Sequence, residues 1–280
     1  MPELPEVETI RRQLAPCLQG RTIVGVEIFD PRWTRPDDPA RVQAELRGAF
    51  VERVARSGKY LIWWLSGERY LLVHLRMTGA LLLNPGVDPP HTRARFELDG
   101  GQRIVYVDPR RFGTAHLLHG EDALHAYLAI RLGVEPFTPG FTVAHLRRLA
   151  RGRRAPVKAF VLDQRQIAGV GNIYADEALF RAGIHPLRAV GTLTGPQLAR
   201  LRDGIEAALL AGIEAKGATI DDFRHLDGAR GSFQDRFLVH RRAEEPCPHC
   251  GRPIRKIVVG GRGTYVCERC QPRPRTRRTP

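Results

Sequence analysis

The spacing of hydrophobic positions divides the 280-residue chain into stretches of different period. Leu4, Val7, Ile10 and Leu14 recur every three or four residues, with Glu3 and Glu6 on another face. This predicts an amphipathic helix that ends at Pro16 and Gly20. From Arg21 the pattern shortens into β-rich runs over 22–29, 50–56, 60–65, 70–76, 80–83, 93–98, 103–107 and 114–118. Gly, Pro and Asp punctuate them, and so many short strands at this spacing predict a sandwich or a barrel. A helix is predicted over 121–132. The Pro/Gly-rich stretch 133–140 then reads as a domain boundary. Helices follow over 142–151, 156–162, 172–182 and 195–216. The last carries Leu198, Leu201, Ile205, Leu209 and Ile213 on one face and Pro196 in its first turn. A looser segment, 217–231, precedes a short β-rich stretch and a cysteine-rich end.

Composition changes the picture little: 42% hydrophobic and 26% charged residues describe an ordinary globular chain. No apolar run approaches the ~18 residues that a membrane span needs. The acidic start lacks the basic and apolar regions of a signal peptide, so a cytoplasmic location is expected. Charge changes more. With 44 Lys+Arg against 30 Asp+Glu the net charge is +14, which points to a polyanionic partner. A general arginine bias would spread that surplus evenly. Instead residues 241–280 hold 11 basic and 3 acidic side chains. Only Lys59, Lys158, Lys216 and Lys256 are lysines; a lysine kept in an arginine-rich chain can serve chemistry that requires giving up a proton.

Three groups carry candidate chemistry. Cys247-Pro-His-Cys250 and Cys267-Glu-Arg-Cys270 are separated by sixteen residues. This spacing suits a closed, structural four-thiolate zinc site better than cytosolic disulfides or a redox pair. Between the pairs Arg252, Arg255, Lys256 and Arg262 decorate a hairpin that turns at Gly260-Gly261-Arg262-Gly263, and Cys17 is left over as a buried thiol. Next, Gly169-Val-Gly171-Asn172 places Asn172 as N-cap of the following helix, whose start is either an anion site or an ordinary capped turn. Finally, methionine before a small residue is normally removed, leaving the secondary amine of Pro2. An α-amino group titrates near ~7.7–8.0 and can attack an aldehyde-like carbon to give an iminium. Glu3 beside it can move protons. The competing reading of the acidic start is a helix N-terminus stabilised by its dipole.

Taken in order, MPELPEVET, Ser57-Gly-Lys59-Tyr, His74-Leu-Arg-Met77-Thr-Gly, Asp108-Pro-Arg110-Arg-Phe112-Gly, Gly169-Val-Gly-Asn-Ile-Tyr-Ala and the four-cysteine finger closely resemble the bacterial formamidopyrimidine-DNA glycosylase family, from residue 2 to about 271. The resemblance implies an α+β protein. It has a catalytic β-sandwich with flanking helices over 2–132, a linker over 133–141, a helix–two-turns–helix domain with a lesion-capping loop over 142–231, a zinc finger over 232–271 and a disordered basic tail over 272–280. It implies one zinc ion, damaged duplex DNA as partner and a monomer. The implied activity is excision of oxidised purines through a Schiff base and β,δ-elimination. By motif position Pro2 is the nucleophile, Glu3 the general acid/base, Glu6 its support, Lys59 the proton donor for β-elimination and Arg262 a δ-step residue. Met77, Arg110 and Phe112 would fill the gap left by a flipped base, while His91, Arg153 and Asn172 would contact DNA. In the loop that closes over the base the family has two glycines and a hydroxyl residue, with a basic residue shortly after. This chain reads Lys216-Gly217-Ala218-Thr219-Ile220-Asp221-Asp222, and His240 replaces a tyrosine near phosphate. The alternatives are an endonuclease VIII-like enzyme for oxidised pyrimidines and a non-catalytic zinc-ribbon DNA-binding protein.

Overall fold

A computed structural model describes residues 1–220 and 223–274. Asp221 and Asp222 of the loop, and 275–280 of the predicted tail, lie outside the described residues. The chain forms two compact units: Met1–Ile130 with Gly212–Gln234, and Arg131–Ala211 with Asp235–Pro280. No helix among the described residues is long and apolar enough to cross a membrane.

In the first unit helix α1, Leu4–Leu18, carries Pro5 in its opening turn. It runs through Pro16, the predicted stop, because Leu14 and Leu18 are fully buried and hold the last turn in the core. The predicted strands all form: β1 Ile23–Ile28, β2 Val51–Ser57, β3 Tyr60–Leu65, β4 Arg69–His74, β5 Ala80–Leu83, β6 Thr92–Leu98, β7 Arg103–Val107 and β8 Thr114–His119. They make two antiparallel four-stranded sheets, β1-β6-β7-β5 and β2-β3-β4-β8. Their core draws Val26, Leu81, Phe96, Ile104 and Tyr106 from one sheet and Val54, Leu61, Trp63, Leu71 and Leu117 from the other. Trp63 meets Phe96 edge-on at 4.9 Å, while Trp33 stacks on Tyr106 at 4.9 Å. Helix α2, Pro39–Leu46, falls outside the elements that the sequence pattern predicts. Asp38 caps it by accepting the Arg41 N–H at 3.1 Å, and Val42 and Leu46 are its buried face. Helix α3, Glu121–Ala129, closes this part of the chain.

The second unit is helical: α4 Val143–Ala150, α5 Val157–Leu162, α6 Asn172–Ala182 and most of α7 Gly195–Glu214. Thr142 caps α4, and Gly183 ends α6 in the left-handed region at φ +65. One buried acid organises the approach to the finger. Glu177 of α6 accepts the backbone N–H groups of Leu238, Val239 and His240 at 2.9–3.0 Å. The stretch predicted as β-rich before the finger is instead a 3₁₀ turn at Phe233–Arg236 and irregular backbone, because its amides pair with Glu177 rather than with a strand. Strands β9, Arg255–Val259, and β10, Arg262–Val266, form the finger hairpin. Gln271 joins it to the end of α6 by donating to the Ile184 carbonyl at 2.9 Å. Cys17 is half-buried, with its thiol on the Gln13 carbonyl.

Candidate active site

The N-terminal acids are fixed before any substrate arrives. Glu3 and Glu6 are 3% and 1% exposed, and Pro2 is buried. Glu6 divides its carboxylate: Oε2 accepts the Glu3 N–H at 2.8 Å, as the third residue of a helix does for its cap, and Oε1 accepts the Ala218 N–H at 2.7 Å. One buried carboxylate thus ties the first residues of the chain to the loop 212 positions later. The pairing is dense enough that a Cβ at Gly217 would fall 2.9 Å from Glu6 Cγ.

That loop begins as a helix C-cap. The Gly217 N–H donates to the Gly212 carbonyl at 2.8 Å and the Lys216 N–H to the Ile213 carbonyl at 3.0 Å, the bond pair of a Schellman motif. Lys216 therefore occupies the left-handed position at φ +56, where glycine is the usual residue. The His225 ring holds the same turn through the Lys216 carbonyl at 2.8 Å. Thr219 is pinned by the Gln234 carboxamide oxygen at 2.8 Å and accepts the Gly231 N–H at 2.9 Å. Leu226 then enters the sandwich core, donating to Gln13 Oε1 and accepting from Leu83.

Lys59 lies in the two-residue turn between β2 and β3, after Gly58 at φ +54. It is 4% exposed. His74 pairs with Tyr60 across β3 and β4, and its ring meets the Tyr60 ring edge-on at 4.7 Å. Burial, with the nearby charges of Arg76 and Lys59, pushes the His74 imidazole down to about 3. His74 is thus neutral at physiological pH. Its Nδ1 accepts the Arg76 N–H at 3.0 Å, leaving the proton on Nε2.

Met77, Arg110 and Phe112 come together through a residue outside the predicted set. Asp108 is 1% exposed. Its Oδ1 receives the Thr78 hydroxyl in a short hydrogen bond and the Arg110 N–H at 3.2 Å, while Oδ2 receives the Gly113 N–H at 2.8 Å and the Tyr106 hydroxyl at 3.3 Å. The turn bearing Met77 and the turn bearing Arg110 and Phe112 are thus fastened to one carboxylate. A Cβ at Gly79 or Gly113 would collide with the Tyr106 hydroxyl, so both glycines are required by close approach. The side chains at the tips stay out: Met77 is 37% and Phe112 51% exposed, and the Arg110 guanidinium lies 4.8 Å over the Phe112 ring. His91, exposed at φ +69, accepts the Asp108 N–H on its carbonyl. The adjacent Arg111 forms a bidentate pair with Asp30 at 2.6 and 2.8 Å.

In the second unit Asn172 is not the cap of α6. Gly171 is, and Asn172 is the first helical residue, its amide donating to the Gly263 carbonyl at 3.0 Å. The same carbonyl accepts from Lys158 Nζ at 3.1 Å, and Lys158 also donates to Asp176 Oδ1 and to Thr264 Oγ1, each at 2.7 Å. Asp176 Oδ2 meets His240 Nδ1 at 2.8 Å. This lysine is fully buried and spent on holding the hairpin. Beside it, Gly260 and Gly261 turn at φ +56 and +73, and Arg262 is exposed at the start of β10. Arg153 is exposed, with Nε on the Leu149 carbonyl behind α4.

The four cysteine sulfurs lie within 4.8 Å of one another, with Cys247–Cys270 at 3.8 Å and Cys250–Cys267 at 3.5 Å. A tetrahedron with zinc–sulfur arms of ~2.3 Å has edges of ~3.8 Å. The donor set therefore fits one structural zinc ion, which fills its coordination with protein ligands and supplies folding energy, not chemistry.

Together these features define a class: a β-sandwich whose acidic N-terminus is built into a buried site, followed by helices and a four-thiolate finger. Models of the formamidopyrimidine-DNA glycosylase N-terminal domain, of its H2TH domain and of the zinc finger found in FPG and IleRS match residues 1–115, 132–224 and 244–273. The chain belongs to the formamidopyrimidine-DNA glycosylase family. It is 47% identical to the formamidopyrimidine-DNA glycosylase of Symbiobacterium thermophilum over 98% of this chain and 90% of that protein. The crystal structure of the MutM (Fpg) protein of Thermus thermophilus superposes with a TM-score of 0.86 at 42% identity, covering 96% and 98% of the two chains. The complex of Lactococcus lactis Fpg with DNA containing an abasic site gives 0.90 at 33%, covering 97% and 100%.

Proposed function

We propose that this chain is a bifunctional DNA glycosylase and abasic-site lyase that removes oxidised purines, 8-oxoguanine and formamidopyrimidines, from duplex DNA. The observation that carries the reading is the Glu6 carboxylate, which holds the segment Pro2–Glu3 and the loop amide of Ala218 in one buried arrangement. Once Met1 is removed, the Pro2 amine attacks C1′ of the damaged nucleotide. The glycosidic bond breaks, its electron pair leaves with the base, and Glu3 moves the protons that open the sugar to an iminium. The iminium accepts the electron pair released when a C2′ proton is taken. The 3′ phosphate leaves in the β step and the 5′ phosphate in the δ step. Lys59 donates a proton in the first elimination, and Arg262 serves the second. Met77, Arg110 and Phe112 fill the vacated stack, at an unstacking cost of a few kcal/mol offset by apolar contact. His91, Arg153 and Asn172 contact the DNA, and residues 216–219 form the root of the lesion loop. The net charge of +14 favours residence on the nucleoid, and one protein per lesion fits a monomer.

Borohydride trapping on duplexes carrying 8-oxoguanine opposite cytosine, or an oxidised pyrimidine, tests this reading when the adduct is mapped by mass. An adduct at Pro2 with the purine preferred is expected. A preference for the pyrimidine would favour the endonuclease VIII-like alternative and direct attention to the 216–222 loop; Lactococcus lactis Fpg has itself been crystallised with DNA containing an oxidised pyrimidine. Tight binding without any adduct would leave a non-catalytic DNA-binding protein.

A further inference from the structure

We propose that Arg56, held by Glu8, is the positioning residue for Lys59 and joins the lysine turn to the helix that carries Pro2 and Glu3. The proposal rests on the reading of Lys59 given above. Glu8 lies on α1, five residues after Glu3, and is 9% exposed. Arg11 reaches it through Nε and Nη2 at 2.9 and 2.8 Å, Arg12 through Nε at 2.8 Å, and Arg56 of β2 through Nε at 3.2 Å. Burial alone would push the Glu8 carboxyl up, but the hydrogen bonds and charges of these arginines bring it down to about 2. It therefore remains an anion at every working pH. Arg11 and Arg12 belong to the same helix, whereas Arg56 links Glu8 to the sheet.

The other end of Arg56 supplies the geometry. Its Nη1 donates to the Gly58 carbonyl at 2.9 Å, and that carbonyl belongs to the peptide joining Gly58 to Lys59. The turn is flanked by the pair Ser57 and Tyr60, and the Arg56 bond adds a direct restraint on a peptide plane inside it. Gly58, at φ +54, has no side chain to restrain it. Fixing the Gly58–Lys59 peptide fixes the direction in which the Lys59 side chain leaves the backbone. A planar guanidinium can serve both acceptors at once, from Nε and Nη1, whereas an ammonium at the end of a lysine is a single point. Angular errors at such a turn displace a long side chain by an ångström or more, which is enough to slow a proton transfer without abolishing it.

The test separates Schiff-base formation from elimination on a duplex with a preformed abasic site, in single turnover with the zinc-loaded full chain. Arg56→Met should leave the rate of borohydride-trappable adduct within about twofold of the parent and slow β-elimination at least tenfold, so that adduct accumulates. Arg56→Lys, which restores charge but not the two-pronged reach, should recover only part of that loss. Glu8→Gln should give a smaller loss than Arg56→Met, and the two together no more than Arg56→Met alone. If Arg56→Met misfolds, Arg56→Lys and Glu8→Gln carry the test through the same ratio. Equal losses in adduct formation and elimination, or an unchanged ratio, would overturn the proposal. Lys59→Met distinguishes the two levels: normal elimination in that variant would remove the assigned role of Lys59 itself, while its loss with an unchanged ratio in Arg56→Met would sink only the present inference.

Discussion

Two tips of this molecule are held in opposite ways. The tip bearing Met77, Arg110 and Phe112 is fastened by a carboxylate and an imidazole, Asp108 and His74, through hydrogen bonds to neutral donors. The hairpin bearing Arg262 is fastened by four thiolates at its base and by the Lys158 ammonium behind its turn. A first-unit tip can draw on a sandwich core that contains Trp63, Phe96 and Tyr106. The finger core is small by comparison, with Phe180, Val239, Ile254 and two cysteines at its centre, and a core of that size needs a metal. Rigidity comes from hydrophobic mass in the sandwich and from coordination in the finger.

The largest effect should come from removing the metal support. Serine at Cys247 and Cys250 together should release zinc, because structural sites of this kind contribute about 10–16 kcal/mol in small finger peptides. Metal analysis and DNA binding by titration should fall together, while the first unit keeps its thermal transition. Retained stoichiometric zinc would refute the four-thiolate site.

Asp108→Ala attacks the other tip. It leaves two backbone amides and two hydroxyls without their buried acceptor, at a cost of about 3 kcal/mol or more. Urea unfolding should report that loss with zinc still bound. If Arg110 is positioned by this carboxylate, discrimination for the base opposite the lesion should weaken as well. An unaltered opposite-base ranking would separate Arg110 from the clamp.

His74 sharpens the contrast through pH. Its folded value of about 3 lies below the ordinary value of 6.5, so between these limits the unfolded chain binds the proton and the folded chain does not. The contribution of His74 is complete above pH 6.5 and is lost as pH falls from there towards 3, on the order of a few kcal/mol. His74→Asn, which keeps an acceptor for Arg76 but cannot take up the proton, should flatten the stability curve across that window. A curve identical to the parent would show that His74 is not the group responsible.

Much of this was readable in the chain, for physical reasons that differ from place to place. The strands announced themselves by alternation and turn residues, and the zinc ligands by spacing alone. Asp108 lies within the Asp108-Pro-Arg110 motif, but nothing in a sequence reveals that one carboxylate gathers four donors. Lys158 carried the scarcity signal that also marks Lys59. The structure shows that a scarce lysine can serve as a buried ion-pair anchor. Asn172 looked like a cap because glycines precede it; its amide goes instead to a carbonyl 91 residues away. The return of Gly212–Gln234 to the first unit depends on such distant contacts, from Leu226 to Gln13 and from Ala218 to Glu6, which periodicity does not encode.

The smallest effect concerns Lys216, the residue that departs from the glycine of the family motif. A lysine at φ +56 costs about 1 kcal/mol or slightly more relative to glycine, because its Cβ crowds the backbone in the left-handed region. Glycine gives part of that back through the greater freedom of the unfolded chain. Lys216→Gly should therefore stabilise the protein by about 0.5–1 kcal/mol in a denaturant titration. Lys216→Ala keeps the strained backbone while removing the ammonium, so it isolates what the side chain does. If excision rates follow Lys216→Gly but not Lys216→Ala, the backbone of the cap sets the loop's behaviour. If both variants lose rate equally, the ammonium itself meets the DNA, and the strain is the cost of placing a charge at the root of the loop. No gain in stability from Lys216→Gly would mean that the freedom glycine adds to the unfolded chain matches the strain it relieves.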